Sequence, residues 1–135
     1  MADYKKPLPR PTPASMPFWA AAKRHELQIQ RCGSCGAHIF YPREVCPECL
    51  ASELQWVKVS GKGTVYSFTI AQQATHHAFT EEVPYVIAIV ELDEGPRLTT
   101  NIAGCKPEEV RVGMQVTATF DDVTPEVTLV KFRPA

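Results

Sequence analysis

Residues 31–50 read RCGSCGAHIFYPREVCPECL and hold four of the five cysteines of the chain. They form two C-x-x-C pairs, Cys32 with Cys35 and Cys46 with Cys49, and ten residues separate the pairs. A hairpin in this segment brings the four thiolates together at the tetrahedral spacing that zinc prefers. All four positions around the ion are then filled by protein. The metal is therefore predicted to be structural, holding together a segment too small for a core of its own.

Other uses of paired cysteines fit this stretch less well. A thioredoxin-like redox motif has one C-x-x-C at the start of a helix in a βαβ unit, and that pattern is not present here. Disulfides require an oxidising compartment, which nothing in the sequence indicates. Iron of the rubredoxin kind uses the same four thiolates, and the spacing alone does not separate it from zinc.

Length and composition describe a soluble globular protein of one average domain, or of two small domains if something other than a core holds one of them together. The chain has 135 residues, of which 44% are hydrophobic and 21% charged, and its net charge is −1. This charge does not favour nucleic acid, because phosphate contacts require a surplus of Lys and Arg. No apolar run approaches the roughly 20 residues of a membrane span, and the N-terminus lacks the apolar core of a signal peptide. We therefore expect a cytoplasmic protein with reduced thiols and no membrane partner.

Residues 1–15 are predicted to form an extended arm. Proline occupies every second position from 7 to 13, which excludes a helix and favours a polyproline-like chain. Residues 16–53 are predicted to contain one helix, over about 17–26, followed by a short strand and the cysteine hairpin. Ser15 is the expected N-cap of that helix, and Pro17 lies in its first turn.

Beyond residue 53 the pattern changes to short stretches of alternating or β-branched residues, which predict five or six strands. Glycine-containing turns separate them, and KPEEVRVG (residues 106–113) offers one short helical turn. A small antiparallel barrel of the OB type has five strands and one such link. The predicted fold is mainly β, with an N-terminal helix and a rubredoxin-like zinc ribbon followed by an OB-fold barrel over residues 54–135.

Several motifs occur together in an order that resembles one known family. They are PFW near the N-terminus, the paired cysteines, GKGTVYSFT (residues 61–69), ELDEGPR (residues 91–97) and VRVGM (residues 110–114). In this respect the chain resembles the acyl-CoA-associated zinc-ribbon/OB-fold proteins, known as domain of unknown function thirty-five. The resemblance covers nearly the whole chain beyond the arm, and it carries the metal ligands over to the four paired cysteines.

The resemblance implies a companion role and no activity of its own. According to this resemblance, the chain looks like a non-catalytic scaffold subunit of a thiolase-like or ketosynthase-like enzyme. Such an enzyme acts on a CoA thioester by thiolysis, condensation or retro-aldol cleavage. It also implies a hetero-oligomer, a structural zinc ion, and coenzyme A or acyl-CoA held in part by the OB domain. The residues themselves agree, since no Ser-His-acid or metal-water set is recognisable.

Five residues are candidates for contact with coenzyme A. Lys62 is flanked by two glycines that let the backbone approach a phosphate group. Tyr66 and Phe68 alternate on one side of a predicted strand and could stack on adenine. His76 and His77 lie in the longest irregular segment and could face a thioester carbonyl. The plainer alternatives are a surface charge, packing inside the barrel and exposed loop histidines.

Phe18 and Trp19, on the predicted helix, either pack against the ribbon and barrel or bind the partner subunit. Cys105 is the fifth thiol, and it is predicted to be structural because no base lies near it in sequence. His25 and His38 flank the cysteine hairpin, where they are expected on the surface or beside a metal ligand.

Two further functions stay open at this point. Binding of single-stranded nucleic acid is compatible with a zinc ribbon, an OB fold and the pair of aromatic residues, although the chain lacks a basic stripe. A free-standing esterase or thioesterase would have to hydrolyse acyl-CoA by itself.

Overall fold

The computed structural model describes residues 6–135, which contain one α-helix, eight strands and two short 3-10 turns. The elements are α1 (Met16–Lys23), β1 (Gln28–Cys32), β2 (His38–Ile39), β3 (Leu54–Lys58), β4 (Lys62–Ala71), β5 (Tyr85–Leu92), β6 (Arg97–Ile102), β7 (Gln115–Asp122) and β8 (Thr128–Pro134). The 3-10 turns are His77–Phe79 and Pro107–Glu109, and the second confirms the predicted helical link. Within residues 6–135, no helix is long and apolar enough to cross a membrane.

The first five residues of the predicted arm lie outside the described part of the chain. Residues 7–12 form neither helix nor strand, as alternating prolines dictate. The arm folds back on the protein, since Lys6 Nζ lies 2.7 Å from Glu82 Oε1 and 5.6 Å from the ring centroid of Phe79. These contacts attach the start of the described arm to the loop between β4 and β5.

Helix α1 is shorter than the predicted 17–26 because the chain leaves it at His25. His25 has a left-handed backbone (φ 60°), and its N–H donates to Ala22 O at 2.8 Å. The N–H of Glu26 donates to Ala21 O at 3.0 Å. This pair of hydrogen bonds is the Schellman motif, which ends helices.

The N-terminus of α1 agrees with the prediction in position but not in mechanism. Ser15 occupies the N-cap position and Pro17 lies in the first turn. The Ser15 side chain makes no capping hydrogen bond to the helix, because its Oγ accepts the N–H of Thr12 at 2.8 Å. The helix buries Ala21 and Ala22 completely, so it is held by packing.

The ribbon is a three-stranded antiparallel sheet in the order β2-β1-β3. Its own apolar cluster is small and consists of Cys32, Ile39 and Cys46, with Ala51 and Leu54 packed at its edge. The barrel predicted over residues 54–135 includes β3, whereas β3 pairs with β1 along its whole length. Sequence patterning does not reveal this, because β3 alternates in the same way as the barrel strands.

The barrel is closed, in the strand order β4-β5-β6-β8-β7. All neighbouring strands are antiparallel except β6 and β8, which run parallel and pair at a single position. Its core contains Val65, Val86, Val90, Val116 and Phe132, each at most 2% exposed. The predicted five-stranded OB-type barrel is confirmed.

A β-bulge in β4 corrects the expected placement of two aromatic residues. Val65 pairs with Val90 and Ser67 pairs with Ile89, which leaves Tyr66 as an extra residue between two ladder positions. Because one added residue turns the following side chains to the opposite face, Tyr66 is exposed while Phe68 packs against the core. Plain alternation predicted both rings on one face of the strand. The bulge places them on opposite faces.

Candidate metal centre and ligand groove

The four predicted metal ligands meet at one end of the ribbon. Their Sγ atoms all lie within 4.8 Å of one another, with 3.6 Å between Cys32 and Cys49 and 3.7 Å between Cys35 and Cys46. A tetrahedral site with Zn–S bonds of about 2.3 Å places its sulfur atoms about 3.8 Å apart. The donor atoms and their spacing therefore fit a zinc ion.

Each cysteine pair lies in the same kind of turn. The N–H of Gly36 donates to Cys32 O, and the N–H of Leu50 donates to Cys46 O, both at 2.9 Å. The residue after the second cysteine has a left-handed backbone in both turns, with φ 79° at Gly36 and 64° at Leu50. The two halves of the site thus repeat one backbone pattern, with a glycine in one half and a leucine in the other.

Backbone N–H groups prepare the sulfur atoms for a cation. The N–H groups of Cys35 and Ser34 lie 3.4 Å from Cys32 Sγ, and these bonds outweigh burial and lower the pKa of the Cys32 thiol to about 6. The N–H of Ala37 lowers the pKa of Cys35, but burial and the three other thiols outweigh it and raise that pKa to about 12. Crowded thiolates repel one another, and a divalent cation at their centre offsets the repulsion.

A groove of about 490 Å³ lies where the arm, helix, ribbon and barrel meet. Its walls are mainly aromatic and come from α1 (Phe18 and Trp19) and from the ribbon (Phe40 and Tyr41). Its floor is formed by residues 98–101 of β6 and 129–131 of β8. No single sequence segment contains this site, because it combines four elements distant in the chain.

The floor of the groove lies where β6 and β8 face each other in the barrel wall. Their backbones pair at only one position, Ile102 with Phe132. Thr100 Oγ1 donates to Val130 O at 3.2 Å, and the N–H of Thr99 donates to Tyr41 Oη at 3.0 Å. One backbone N–H of β6 and one backbone carbonyl of β8 at this floor are thus bound by side chains of the protein.

Two cations line the groove, and they differ in their partners. Lys131 Nζ lies 2.9 Å from Asp121 Oδ2, so its charge is balanced within the barrel. Arg10 of the arm is exposed, and its guanidinium has no ion pair or hydrogen bond within residues 6–135. Arg10 is thus available to an anionic group at the edge of an apolar groove.

The structure does not bring the five candidate coenzyme A residues together, and none of them lines the groove. Lys62 begins β4, whereas His76 and His77 follow its other end, and a ten-residue strand spans about 30 Å. Arg97 covers the ring of Tyr66, with its Cζ 3.7 Å from the centroid. Phe68 is turned toward the core.

The two histidines mainly organise their own loop. Their rings stack with centroids 4.3 Å apart. The Nδ1 of His76 accepts the N–H of Ala78 at 3.0 Å, which caps the 3-10 turn. This arrangement matches the plainer expectation of exposed loop histidines.

Phe18 and Trp19, predicted either to pack or to bind a partner, form a wall of the groove. The Phe18 ring meets Phe40 edge-on at 5.6 Å between centroids and packs against the barrel core. Trp19 meets Phe18 edge-on at 5.0 Å. Packing therefore holds both rings in place, and each keeps a surface in the groove.

Sequence reasoning missed a pair of residues that joins the helix to the barrel. His25 Nε2 lies 3.0 Å from both carboxylate oxygens of Asp122, and its ring stacks on Phe120 at 5.2 Å. The hydroxyl of Thr128 also donates to Asp122, and these two bonds hold the pKa of that carboxyl below its usual range. The hydroxyl contacts the carboxylate and not the imidazole, so the three groups do not form a nucleophile triad. No local signal reveals residues 97 positions apart.

Cys105 has the surroundings of a structural thiol, as predicted. It is partly buried against the barrel core. Burial, followed by the charge of Glu109, raises the pKa of this thiol, which is opposite to the shift that activates a nucleophilic cysteine. His38 lies on β2, outside the group of four metal ligands.

Two family models match adjoining parts of the chain. Residues 19–55 match the model described as "ChsH2, rubredoxin-like zinc ribbon domain". Residues 56–121 match "ChsH2, C-terminal OB-fold domain". The ribbon and the barrel are thus recognised separately and in the same order as in the structure.

Curated relatives carry several names. A DUF35 domain-containing scaffold protein of Methanocaldococcus jannaschii is 48% identical over 73% of this chain and 70% of its own length. A probable enoyl-CoA hydratase alpha subunit of Thermomonospora curvata is 43% identical over 98% of this chain, which spans only 42% of that protein. The benzoylsuccinyl-CoA thiolase subunit BbsA of Geobacter metallireducens is 34% identical over 58% of this chain and 51% of its own length.

One solved structure matches nearly the whole fold. A chain from the structure titled "Ltp2-ChsH2(DUF35) aldolase" superposes with a TM-score of 0.85 at 39% sequence identity. The match covers 94% of this chain and 98% of that one. The two chains therefore share the ribbon, the barrel and the way they are joined.

Proposed function

Because this chain belongs to the DUF35 family of ChsH2-type zinc-ribbon and OB-fold proteins, we propose that it is a companion subunit of a thiolase-like enzyme acting on acyl-CoA thioesters. The observation that carries the proposal is the near-complete match to a chain from the Ltp2-ChsH2(DUF35) aldolase structure. The names of relatives support it, since they include a thiolase subunit and scaffold proteins.

The arrangement of reactive groups supports a non-catalytic role for this chain. Four protein thiolates fill the metal site, so a zinc ion held there would hold the ribbon together and leave no open position for substrate. Within residues 6–135, the His25–Asp122 pair lacks a nucleophile on its imidazole, and Cys105 is not activated. The reacting groups would then belong to the partner subunit.

The groove is the best candidate in this chain for contact with the CoA thioester. The pantetheine part of coenzyme A is a long flexible chain with two amide groups, and the groove offers aromatic walls with polar side chains from Thr99, Thr100 and Asn101 at its floor. Arg10 supplies a positive charge for a phosphate group. We assign the contact to this groove in place of the five scattered candidates around β4.

Co-purification followed by reconstitution tests the companion role. The tagged chain is purified from its source cells, bound proteins are identified by mass spectrometry, and any thiolase-like subunit is then produced recombinantly. We expect no acyl-CoA turnover by the chain alone and higher turnover when it is added to that subunit. Recovery of the chain without such a subunit, or hydrolysis of acyl-CoA by the chain alone, would refute the companion role.

Titration of tryptophan fluorescence with coenzyme A, in a Trp56→Phe background so that Trp19 is the reporter, tests the groove. Arg10→Ala is expected to weaken binding about tenfold, the usual effect of losing a hydrogen bond to a charged group. Lys62→Ala, which removes a cation at the start of β4 that does not line the groove, is the matched control and should bind as the wild type does. The opposite pattern would move the site to the start of β4.

Nucleic-acid binding is less well supported than the companion role. The β4 bulge separates Tyr66 from Phe68, so these two rings do not form the continuous stacking surface that single strands use. Titration with a fluorescent single-stranded oligonucleotide at low and high salt checks this. Tight binding that weakens steeply with salt would favour the nucleic-acid function.

A further inference from the structure

The two cysteine turns of the ribbon differ at one position that bears on binding. Gly36 and Leu50 occupy equivalent places, and both have left-handed backbones. Glycine adopts this conformation without strain, whereas the Cβ of a leucine approaches the carbonyl that follows it. The second turn therefore carries backbone strain that the first turn avoids.

The Leu50 side chain is left largely uncovered by residues 6–135. It is 77% exposed, the highest value among the exposed large hydrophobic residues of the described part. It belongs to neither apolar cluster. Val45 immediately precedes the same turn and is 44% exposed. A bulky apolar residue that is both strained and exposed indicates a surface that another molecule covers.

The charges around these two residues limit what that molecule can be. Residues 44–53, EVCPECLASE, contain three glutamates and no Lys, Arg or His, and Glu44 and Glu48 are exposed. A zinc ion with four thiolates adds a net charge of about −2. We call residues 44–53 the ribbon tip. It presents an apolar centre within a negative rim.

We propose that the ribbon tip is the anchor by which this chain docks onto its thiolase-like partner subunit, with Leu50 and Val45 entering an apolar pocket edged by Lys and Arg side chains. The proposal rests on the companion role and adds the surface and chemistry of the contact. A second copy of this chain is disfavoured as the occupant, because two ribbon tips would bring like charges together.

Affinity measurements between the full-length chain and the recombinant thiolase-like subunit test the anchor. Leu50→Gly is expected to raise the Kd about tenfold or more, since it removes a buried leucine from the interface. The same change is not expected to lower the Tm of the isolated chain, because relief of backbone strain offsets the added freedom of the unfolded chain. Weaker binding without loss of stability separates an anchor from a residue needed for folding.

Two further variants sharpen the test. Leu50→Asn keeps a residue that tolerates the left-handed conformation and removes the apolar side chain, so it should weaken binding as Leu50→Gly does. Val112→Ala removes methyl groups from another exposed site, 65% exposed and outside the ribbon tip, and should leave the Kd unchanged. Glu48→Lys should also weaken binding, and the increase in Kd should be larger at low salt than at high salt.

Each result decides between defined outcomes. Unchanged affinity for both Leu50 variants in an intact complex would overturn the anchor and leave the companion role standing. Self-association of the wild type that is lost in Leu50→Gly, seen by analytical ultracentrifugation, would make the ribbon tip a contact between copies and would also overturn it. If the wild-type chain binds no thiolase-like subunit, the companion role falls first and the anchor with it.

Discussion

At the scale of single residues, His25 has two separate tasks. Its left-handed backbone ends helix α1, and its imidazole lies flat on Phe120 with Nε2 against Asp122. Glycine, the usual residue at this position of a helix, would end the helix equally well but would make no contact with the barrel. The choice of histidine is therefore explained by the long-range contact.

Asp122→Asn is expected to lower the Tm at neutral pH. The Thr128 hydroxyl and His25 hold the folded-state pKa of Asp122 below its unfolded value of about 3.9. The carboxylate therefore adds stability above that value, and the contribution is lost as the pH falls through the lower folded pKa. The difference in Tm between wild type and variant should close in acid, as circular dichroism across a pH series would record.

Asp93→Asn is the matched control for this comparison. The Asp93 side chain is exposed and makes no hydrogen bond to the rest of residues 6–135. It should change the Tm little at any pH. A constant difference for Asp122→Asn from neutral to acid pH would show that the carboxylate charge is not the source of stability.

At the scale of secondary-structure elements, the ribbon depends on its metal more than the barrel does. The ribbon has a small apolar cluster in which two of the three buried residues are themselves cysteine ligands. The barrel has a much larger core, which the ribbon shares through Leu27 and Ile29 around the start of β1 and Val57 of β3. Since burial of apolar area drives folding, the barrel is stable without a metal, whereas the cysteine end of the ribbon has little buried apolar area of its own.

Cys46→Ser is expected to release the metal and unfold the ribbon while the barrel keeps its strands. Zinc content by atomic absorption, together with hydrogen exchange of β1 and β6 amides, measures the two effects separately. Ser34→Ala, beside the ligands but not among them, should retain the metal. Full metal content and unchanged exchange of β1 in Cys46→Ser would contradict the assignment of this site.

The sequence predicts those elements that local patterns specify. Cysteine spacing predicted the four ligands, and alternation of apolar residues predicted every barrel strand. The sequence pattern did not reveal the bulge at Tyr66, because an extra residue in one strand is visible only against the partner strand. It also missed the Lys6–Glu82 contact and the groove, because both depend on residues far apart in the chain.

At the scale of the whole molecule, the helix and ribbon share packing with the barrel, whose core includes Leu27 and Ile29. The Phe18 and Phe40 rings meet over the barrel core. Tyr41 accepts a hydrogen bond from the β6 backbone at Thr99. These contacts also form the walls of the groove, so the geometry of the groove depends on how the units are joined.

Tyr41→Phe is expected to lower the free energy of unfolding by about 1 kcal/mol, because the N–H of Thr99 loses its partner. Urea unfolding followed by tryptophan fluorescence measures this change. Tyr66→Phe is the control, since the Tyr66 hydroxyl makes no hydrogen bond within residues 6–135. Equal stability of Tyr41→Phe and wild type would mean that water replaces this bond at no loss.

The packing of α1 against β8 has a consequence for synthesis on the ribosome. Helix α1 is made first among these elements and β8 is made last, yet the two are in contact in the folded protein. The ribbon, complete by Lys58, can bind its metal while later residues are still being translated. The groove needs residues 129–131. During translation the nascent chain therefore completes its metal site well before it completes the groove.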